Sequence, residues 1–245
     1  MINNKFNIIL NNNNKYKKME KNYNVIDLDK NIIPDYCFKV VFSGNTGVGK
    51  TSIINYEIHN KFEKENQQLI VFEHFYKNYR ICDKILRLQI WDTCGESTYV
   101  NLMQNFYRSA LCIFIVFSLD DENSFSCLNN WLYDIKNMNE SESPMIILIG
   151  NKKDNMRERQ VSKEDILDYC KNNDIDNYFE TSAKNGESIH ELFKEVVRKL
   201  YIRFIEPNNS DIYSTRSFES STRNSEINRC GINSERCKVC DCSIY

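Results

Sequence analysis

The stretch "GNTGVGKT", residues 44–51, fits the pattern G-x-x-x-x-G-K-[ST] and lies between two segments of different character. Before it, "CFKVVFSG" (37–44) is a short apolar run ending in glycine, which reads as a strand. After it, "KTSIINYEIHN" (50–60) has helical spacing. Strand, glycine-rich loop and helix in that order make a phosphate cradle. The glycines let successive N–H groups turn inward, and the helix N-terminus adds positive potential. Lys50 is placed to reach the β and γ phosphates and the Thr51 hydroxyl to ligate Mg²⁺.

Outward from the loop, strands and helices alternate. "KILRLQIWD" (84–92) alternates apolar and polar residues, while "ALCIFIVFSL" (110–119) and "PMIILIG" (144–150) are nearly continuous apolar runs. Strands covered on both faces read that way, as in parallel sheets flanked by helices. Amphipathic stretches follow at 122–138 and 162–173, with Ser162 and Asp165 marking a helix entry. "YFETSA" (178–183) supplies a last short strand and residues 188–206 a last amphipathic helix. The expected fold is α/β, a doubly wound, mostly parallel sheet with helices on both faces. Residues 36–206 form the expected domain. Residues 1–35, rich in Asn and Lys, are expected to be a disordered extension, and residues 207–245 a flexible tail.

Composition bounds the rest. The chain has 245 residues, 41% of them apolar, and a formal charge of −2, which gives no preference for nucleic acid. No secretory signal or run of transmembrane length is expected, so a reducing cytosolic setting is the default and the ten cysteines are not read as a disulfide framework.

"NKKD" (151–154) follows directly on the buried run ending at Gly150, and "TSAK" (181–184) ends the next strand. Both fall at the carboxyl ends of strands, where open parallel sheets bind ligands. The Asp154 carboxylate offers two acceptors to the paired donors of guanine, its ring N–H and exocyclic amine. Adenine has no such pair, and a mismatch would leave a buried carboxylate unsatisfied. With the phosphate loop upstream and "DTCG" (92–95) between, the base read is guanine, and a P-loop ATPase is disfavoured.

With these residues in view, the chain resembles the Ras-like small GTPases, most closely the Rab branch. "LQIWDTCGE" (88–96), "FYRSA" (106–110), "FETSAK" (179–184) and the Cys-rich end carry the likeness over about Tyr36 to Glu206. The resemblance implies a GDP/GTP switch needing Mg²⁺, acting in vesicle traffic with an exchange factor, an activating protein and effectors, and a monomeric G domain. It implies nucleotide contacts from Gly44, Asn45, Thr46, Gly47, Val48, Gly49, Lys50, Thr51 and Ser52. Asp92 would stand near the metal through water, and Gly95 would donate its amide to the γ-phosphate. Asn151, Lys152 and Asp154 would hold guanine, helped by Ser182, Ala183 and Lys184, with Phe62 lying against the base.

Two positions depart from the family pattern. From Ile53 to Asp92 there is no serine or threonine, and Leu69 stands where the family carries the switch I threonine. Leucine cannot ligate a metal, so the γ-phosphate and metal order this loop less, and the GTP and GDP forms should differ less there. Glu96 stands where the family carries the glutamine that orients the attacking water. A carboxylate accepts from water but cannot donate to transition-state oxygens, so slow intrinsic hydrolysis is expected. The competing expectation is a non-cycling, nucleotide-binding interaction module.

"CKVCDCSIY" closes the sequence, and Cys240 and Cys242 resemble the doubly prenylated end of Rabs. The implied location is the cytoplasmic face of an intracellular membrane, in exchange with cytosol. A zinc knot on Cys230, Cys237, Cys240 and Cys242 competes, but its C-x-x-C-x-C spacing without histidine suits a tetrahedral site poorly.

Overall fold

The computed structural model describes residues 23–28, 32–63, 72–95, 105–137 and 143–206. Leu69, Glu96, Cys240 and Cys242 lie outside the described residues, as do residues 207–245. The strands are β1 (Val25–Leu28), β2 (Tyr36–Ser43), β3 (Phe72–Ile81), β4 (Lys84–Thr93), β5 (Cys112–Ser118), β6 (Met145–Asn151) and β7 (Tyr178–Glu180). The helices are α1 (Lys50–His59), α2 (Glu122–Ser126), α3 (Leu128–Lys136), α4 (Lys163–Asn172) and α5 (Ile189–Phe204).

All seven strands form one sheet in the order β1-β3-β4-β2-β5-β6-β7. β4, β2, β5, β6 and β7 run parallel, whereas β3 pairs antiparallel with both β4 and β1. Successive side chains of a strand point to opposite faces. In β5, Cys112, Phe114 and Val116 therefore enter one core with Ile53 and Ile54 of α1 and Phe193, Val196 and Val197 of α5. Ile113, Ile115 and Phe117 enter the other, against Leu128, Trp131, Leu132 and Ile135 of α3 and Ile166 of α4. Two helical layers on one sheet are why this strand reads as an unbroken apolar run. Among the described residues, no helix is long and apolar enough to cross a membrane.

Ser162 caps α4 as its spacing suggested, its Oγ accepting from the Asp165 N–H at 3.1 Å. The amphipathic stretch 122–138 is two helices, joined at Cys127. Asp121 caps the first, its carboxylate accepting from the N–H groups of Asn123 and Ser124.

The expected disordered extension needs correction near its end. Val25–Leu28 is an edge strand paired with Asn78–Ile81, and Val25 is buried in the core beside Ile81. The segment before β2 is also tied down. Arg87 donates to the Ile32 carbonyl, and Asp35 accepts from the Ile85 N–H at 2.7 Å. Four residues with one buried apolar side chain carry too little pattern to read as a strand. Their strand geometry comes from the open edge of β3, which supplies the hydrogen-bond partners.

Candidate functional site

The carboxyl ends of β2, β4, β6 and β7 lie along one edge of the parallel sheet, and each leads into one of the sequence elements singled out above. β2 runs into the loop Gly44–Thr51, β4 ends with Asp92 and Thr93, β6 ends at Asn151, and β7 leads into Thr181–Lys184.

The loop is built for close approach. Gly49 begins α1 with φ +97, and a Cβ there would meet the Asn151 amide nitrogen at 2.3 Å. Gly95 packs flat on the loop, where a Cβ would sit 2.2 Å from the Thr46 nitrogen and 2.6 Å from the Gly44 oxygen. A side chain at Gly95 would displace backbone, whereas at Gly49 it would displace the Asn151 amide and strain a left-handed φ. Lys50 is buried and reaches back across the loop, donating to the carbonyls of Gly44 (2.7 Å) and Asn45 (2.9 Å). Burial pulls its ammonium down to about 8, against the opposing pull of Asp92 and Cys94.

The Thr51 hydroxyl donates to Asp92 Oδ2, joining the first turn of α1 to the end of β4. Asp92 is fully buried, and its Oδ1 has no hydrogen-bond partner among the described residues. Burial pushes this carboxyl up to about 6, with Glu73 adding and the Thr51 hydrogen bond and Lys50 opposing. A hydroxyl, a carboxylate with an unsatisfied oxygen and a glycine cradle make an oxygen-donor set suited to a hard divalent cation such as Mg²⁺.

On the base side, Asp154 Oδ1 accepts from the Ser182 hydroxyl at 2.5 Å and Oδ2 lies 3.6 Å from Lys184 Nζ. These contacts aim the carboxylate from two directions. Lys152, held in a left-handed backbone conformation (φ 65), pairs with Asp120 at 3.3 Å. Ser182 and Ala183 are buried, and Lys184 is exposed. Thr46 is exposed, Val48 is buried and Ser52 lies in the first turn of α1. Phe62, three residues past the end of α1, is exposed.

Several residues that organise the site were not singled out from sequence. The Trp131 indole N–H donates to Asn45 Oδ1 at 2.7 Å, so the Asn45 side chain is held by α3. Asp120 accepts from Asn155 at 3.0 Å, from the Ser118 hydroxyl and from Lys152. Tyr56 of α1 packs against Gly186, where a Cβ would meet the Tyr56 ring at 2.1 Å. Asn151 has a role beyond the expected base contact. Its Oδ1 accepts from the Thr181 hydroxyl (3.1 Å) and the Ala183 N–H (3.2 Å), and its Nδ2 donates to the Val48 carbonyl (2.9 Å). One buried amide thus fastens three loops together. Apart from Ser118–Asp120, no local signal marks these contacts, because the partners lie far apart along the chain, 103 residues for Asn151 and Val48.

Comparison with known proteins agrees with this arrangement. The family model described as the Ras family matches residues 39–202. The chain is 37% identical over 166 residues to the Ras-related protein Rab-9A of Rattus norvegicus, covering 66% of this chain and 82% of that protein. It is 36% identical over 168 residues to the Ypt/Rab-type GTPase ypt7 of Schizosaccharomyces pombe, and 34% over 165 to Rab-9B of Homo sapiens, with the same coverage.

Proposed function

The chain belongs to the Ras family of small GTPases and is Rab-like, and from that premise we propose that it is a membrane-attached GTPase of intracellular vesicle trafficking with a weakened switch. The observation that carries this reading is the convergence of the phosphate loop, Asp92, Asp154 and the 181–184 loop at one end of the sheet, fastened by Asn151 and by Thr51–Asp92.

In this reading the N–H groups of residues 44–51 and the Lys50 ammonium bind the phosphates, with Lys50 exchanging its two carbonyl acceptors for phosphate oxygens. Thr51 and, through water, Asp92 hold Mg²⁺, which neutralises phosphate charge when bound. Asp154 reads guanine, with Ser182 and Lys184 fixing its carboxylate. Asn151 acts as a positioning residue by holding the base loops and the phosphate loop in register, and Lys152 and Phe62 flank the base. Gly95 brings its amide toward the γ-phosphate. Residues 36–206 are the G domain, extended by β1, and the tail carries lipid on Cys240 and Cys242 to the cytoplasmic face of an internal membrane.

Leu69 and Glu96 set the character of the switch. Leu69 removes a metal ligand and Glu96 a donor to the transition state, so GTP is bound well but hydrolysed slowly unless a partner supplies the missing groups. The same two residues support the second reading, a module that binds nucleotide and partners without cycling.

Single-turnover conversion of bound GTP to GDP with Mg²⁺, measured on the full chain, tests the proposal. Slow conversion accelerated by an activating protein is expected. Fast conversion by the chain alone would remove the weakened-switch reading. GTP left intact under every condition, with partner binding retained, would favour the non-cycling module.

A further inference from the structure

Trp131 on α3 is 6% exposed and belongs to the core it shares with Leu128, Leu132 and Ile135. A buried indole N–H needs an acceptor, and this one finds it outside that core. It donates to Asn45 Oδ1 at 2.7 Å, 86 residues back along the chain. Such a pairing is not automatic in this protein, since the buried Trp91 N–H has no acceptor among the described residues. Asn45 is the second residue of the glycine-rich loop and is half-buried. It is held at three points. Trp131 takes its side chain, Lys50 donates to its carbonyl at 2.9 Å, and Gly95 rests on its backbone, where a Cβ would stand 2.3 Å from the Asn45 carbonyl carbon.

We propose that Trp131 is a positioning residue for phosphate binding: its indole N–H keeps the Asn45 end of the loop in its binding shape and so sets how fast nucleotide leaves. This rests on the reading of Gly44–Thr51 as a phosphate loop. In that reading Lys50 gives up the carbonyls of Gly44 and Asn45 for phosphate oxygens. The loop then loses two side-chain ties at the moment its N–H groups must stay aligned on the ligand. The Trp131 bond is untouched by this exchange, because it uses the Asn45 side chain and leaves the loop N–H groups free. It also reaches beyond the loop. Asn45 supports Gly95, whose amide is proposed to face the γ-phosphate. With Asn151 on the Val48 carbonyl, Trp131 on Asn45 pins the turn 45–48 at both ends, each time from a buried side chain.

The test measures release of fluorescently labelled GDP from the full chain. Trp131→Phe keeps an aromatic ring in the core and removes the donor. Asn45→Ala removes the acceptor from a half-buried position and leaves the core intact. Each is expected to raise the GDP dissociation rate about fivefold, the worth of one hydrogen bond. The double variant is expected to match either single one rather than reach about 25-fold, because both changes break the same bond. The ratio of GDP to inosine diphosphate affinity should stay at the wild-type value, since the lesion lies on the phosphate side and not at the exocyclic amine. A purely packing role for Trp131 would lower the melting temperature of W131F and leave N45A at the wild-type rate, which overturns the proposal. Additive effects, or a shifted GDP to inosine diphosphate ratio, would overturn it too. N45A carries the test alone if W131F does not fold. A wild type that retains no guanine nucleotide would remove the phosphate-loop reading and this proposal with it. Retention by the wild type with unaltered release from both variants would remove this proposal alone.

Discussion

Asn151, at the end of β6, donates from its side-chain nitrogen to the carbonyl of Val48 in the phosphate loop at 2.9 Å, across 103 residues of sequence. The same amide accepts from Thr181 and Ala183, so the loop 181–184 and the glycine-rich loop Gly44–Thr51 share one buried anchor.

Replacing Asn151 with alanine leaves the Val48 carbonyl and the Ala183 N–H without these partners. Each unsatisfied buried group costs about 1–3 kcal/mol, so GDP affinity is expected to fall by ~100-fold while the fold persists. GDP dissociation rates and the melting temperature, measured on the same sample, check this. An unchanged dissociation rate would show that the amide does not align the loops.

Glu57 on α1 links three elements. It accepts from Tyr79 (2.7 Å), pairs with Lys77 (2.9 Å) and meets His190 Nδ1 at 2.6 Å, with Asp27 of β1 3.6 Å from Lys77. Burial raises the Glu57 carboxyl, but the hydrogen bond from His190 and the charge of Lys77 leave it below its ordinary 4.5. The hydrogen bond to Glu57 raises His190 above 6.5, despite its desolvation and Lys77. The Glu57 contribution is complete above pH 4.5 and is lost as pH falls through its lower folded value. The His190 contribution is complete below pH 6.5 and is lost as pH rises through its higher folded value. The network is therefore expected to stabilise most between these limits. His190→Gln should flatten the loss on the alkaline side, and Glu57→Ala should cost about 3 kcal/mol by leaving the buried Tyr79 hydroxyl without its acceptor and removing the nearer carboxylate from Lys77. Urea unfolding as a function of pH reads both.

Edge strand β1 makes a face-specific prediction. Val25 is 4% exposed and its neighbour Ile26 is 47% exposed. Val25→Asp is expected to destabilise by about 3 kcal/mol, whereas Ile26→Asp should be close to neutral. Equal effects on the midpoint of unfolding would falsify the strand register.

Glu96→Gln restores a donor toward the transition state, and intrinsic single-turnover hydrolysis is expected to rise by on the order of 10-fold or more. Leu69→Thr restores a metal ligand to the switch, so the difference in protease susceptibility between the GTP and GDP forms should widen. If neither substitution changes either quantity, the departures at these positions are not what limits the switch.

The motifs that carry the family likeness lie in contiguous residues and were legible in the sequence. "GNTGVGKT", "DTCG", "NKKD" and "TSAK" each begin at or just past the carboxyl end of a strand, and the parallel sheet brings those ends to one edge. The unbroken apolar run at Cys112–Ser118 likewise announced a strand covered on both faces, and two cores are found there. Less legible was the stretch after Asp121, whose amphipathic pattern runs on without a break although the helix pauses at Cys127. Phe72–Ile81 was not singled out as a strand, since half-exposed polar and aromatic residues alternate weakly there.

The sequence by itself determined the layered α/β class and the family likeness, and it pointed to Asp154 as the proposed base contact, because these follow from local patterns and from short motifs whose chemistry needs particular residues at particular spacings. Only the tertiary structure decided that Asn151 joins the loops, that Trp131 holds Asn45, that Glu57 gathers Lys77, Tyr79 and His190, and that Tyr23 meets Glu206. Those contacts join residues as many as 183 positions apart. A polar side chain acquires such a partner only when burial on both faces of the sheet brings distant groups within about 3 Å and leaves no water to satisfy them instead.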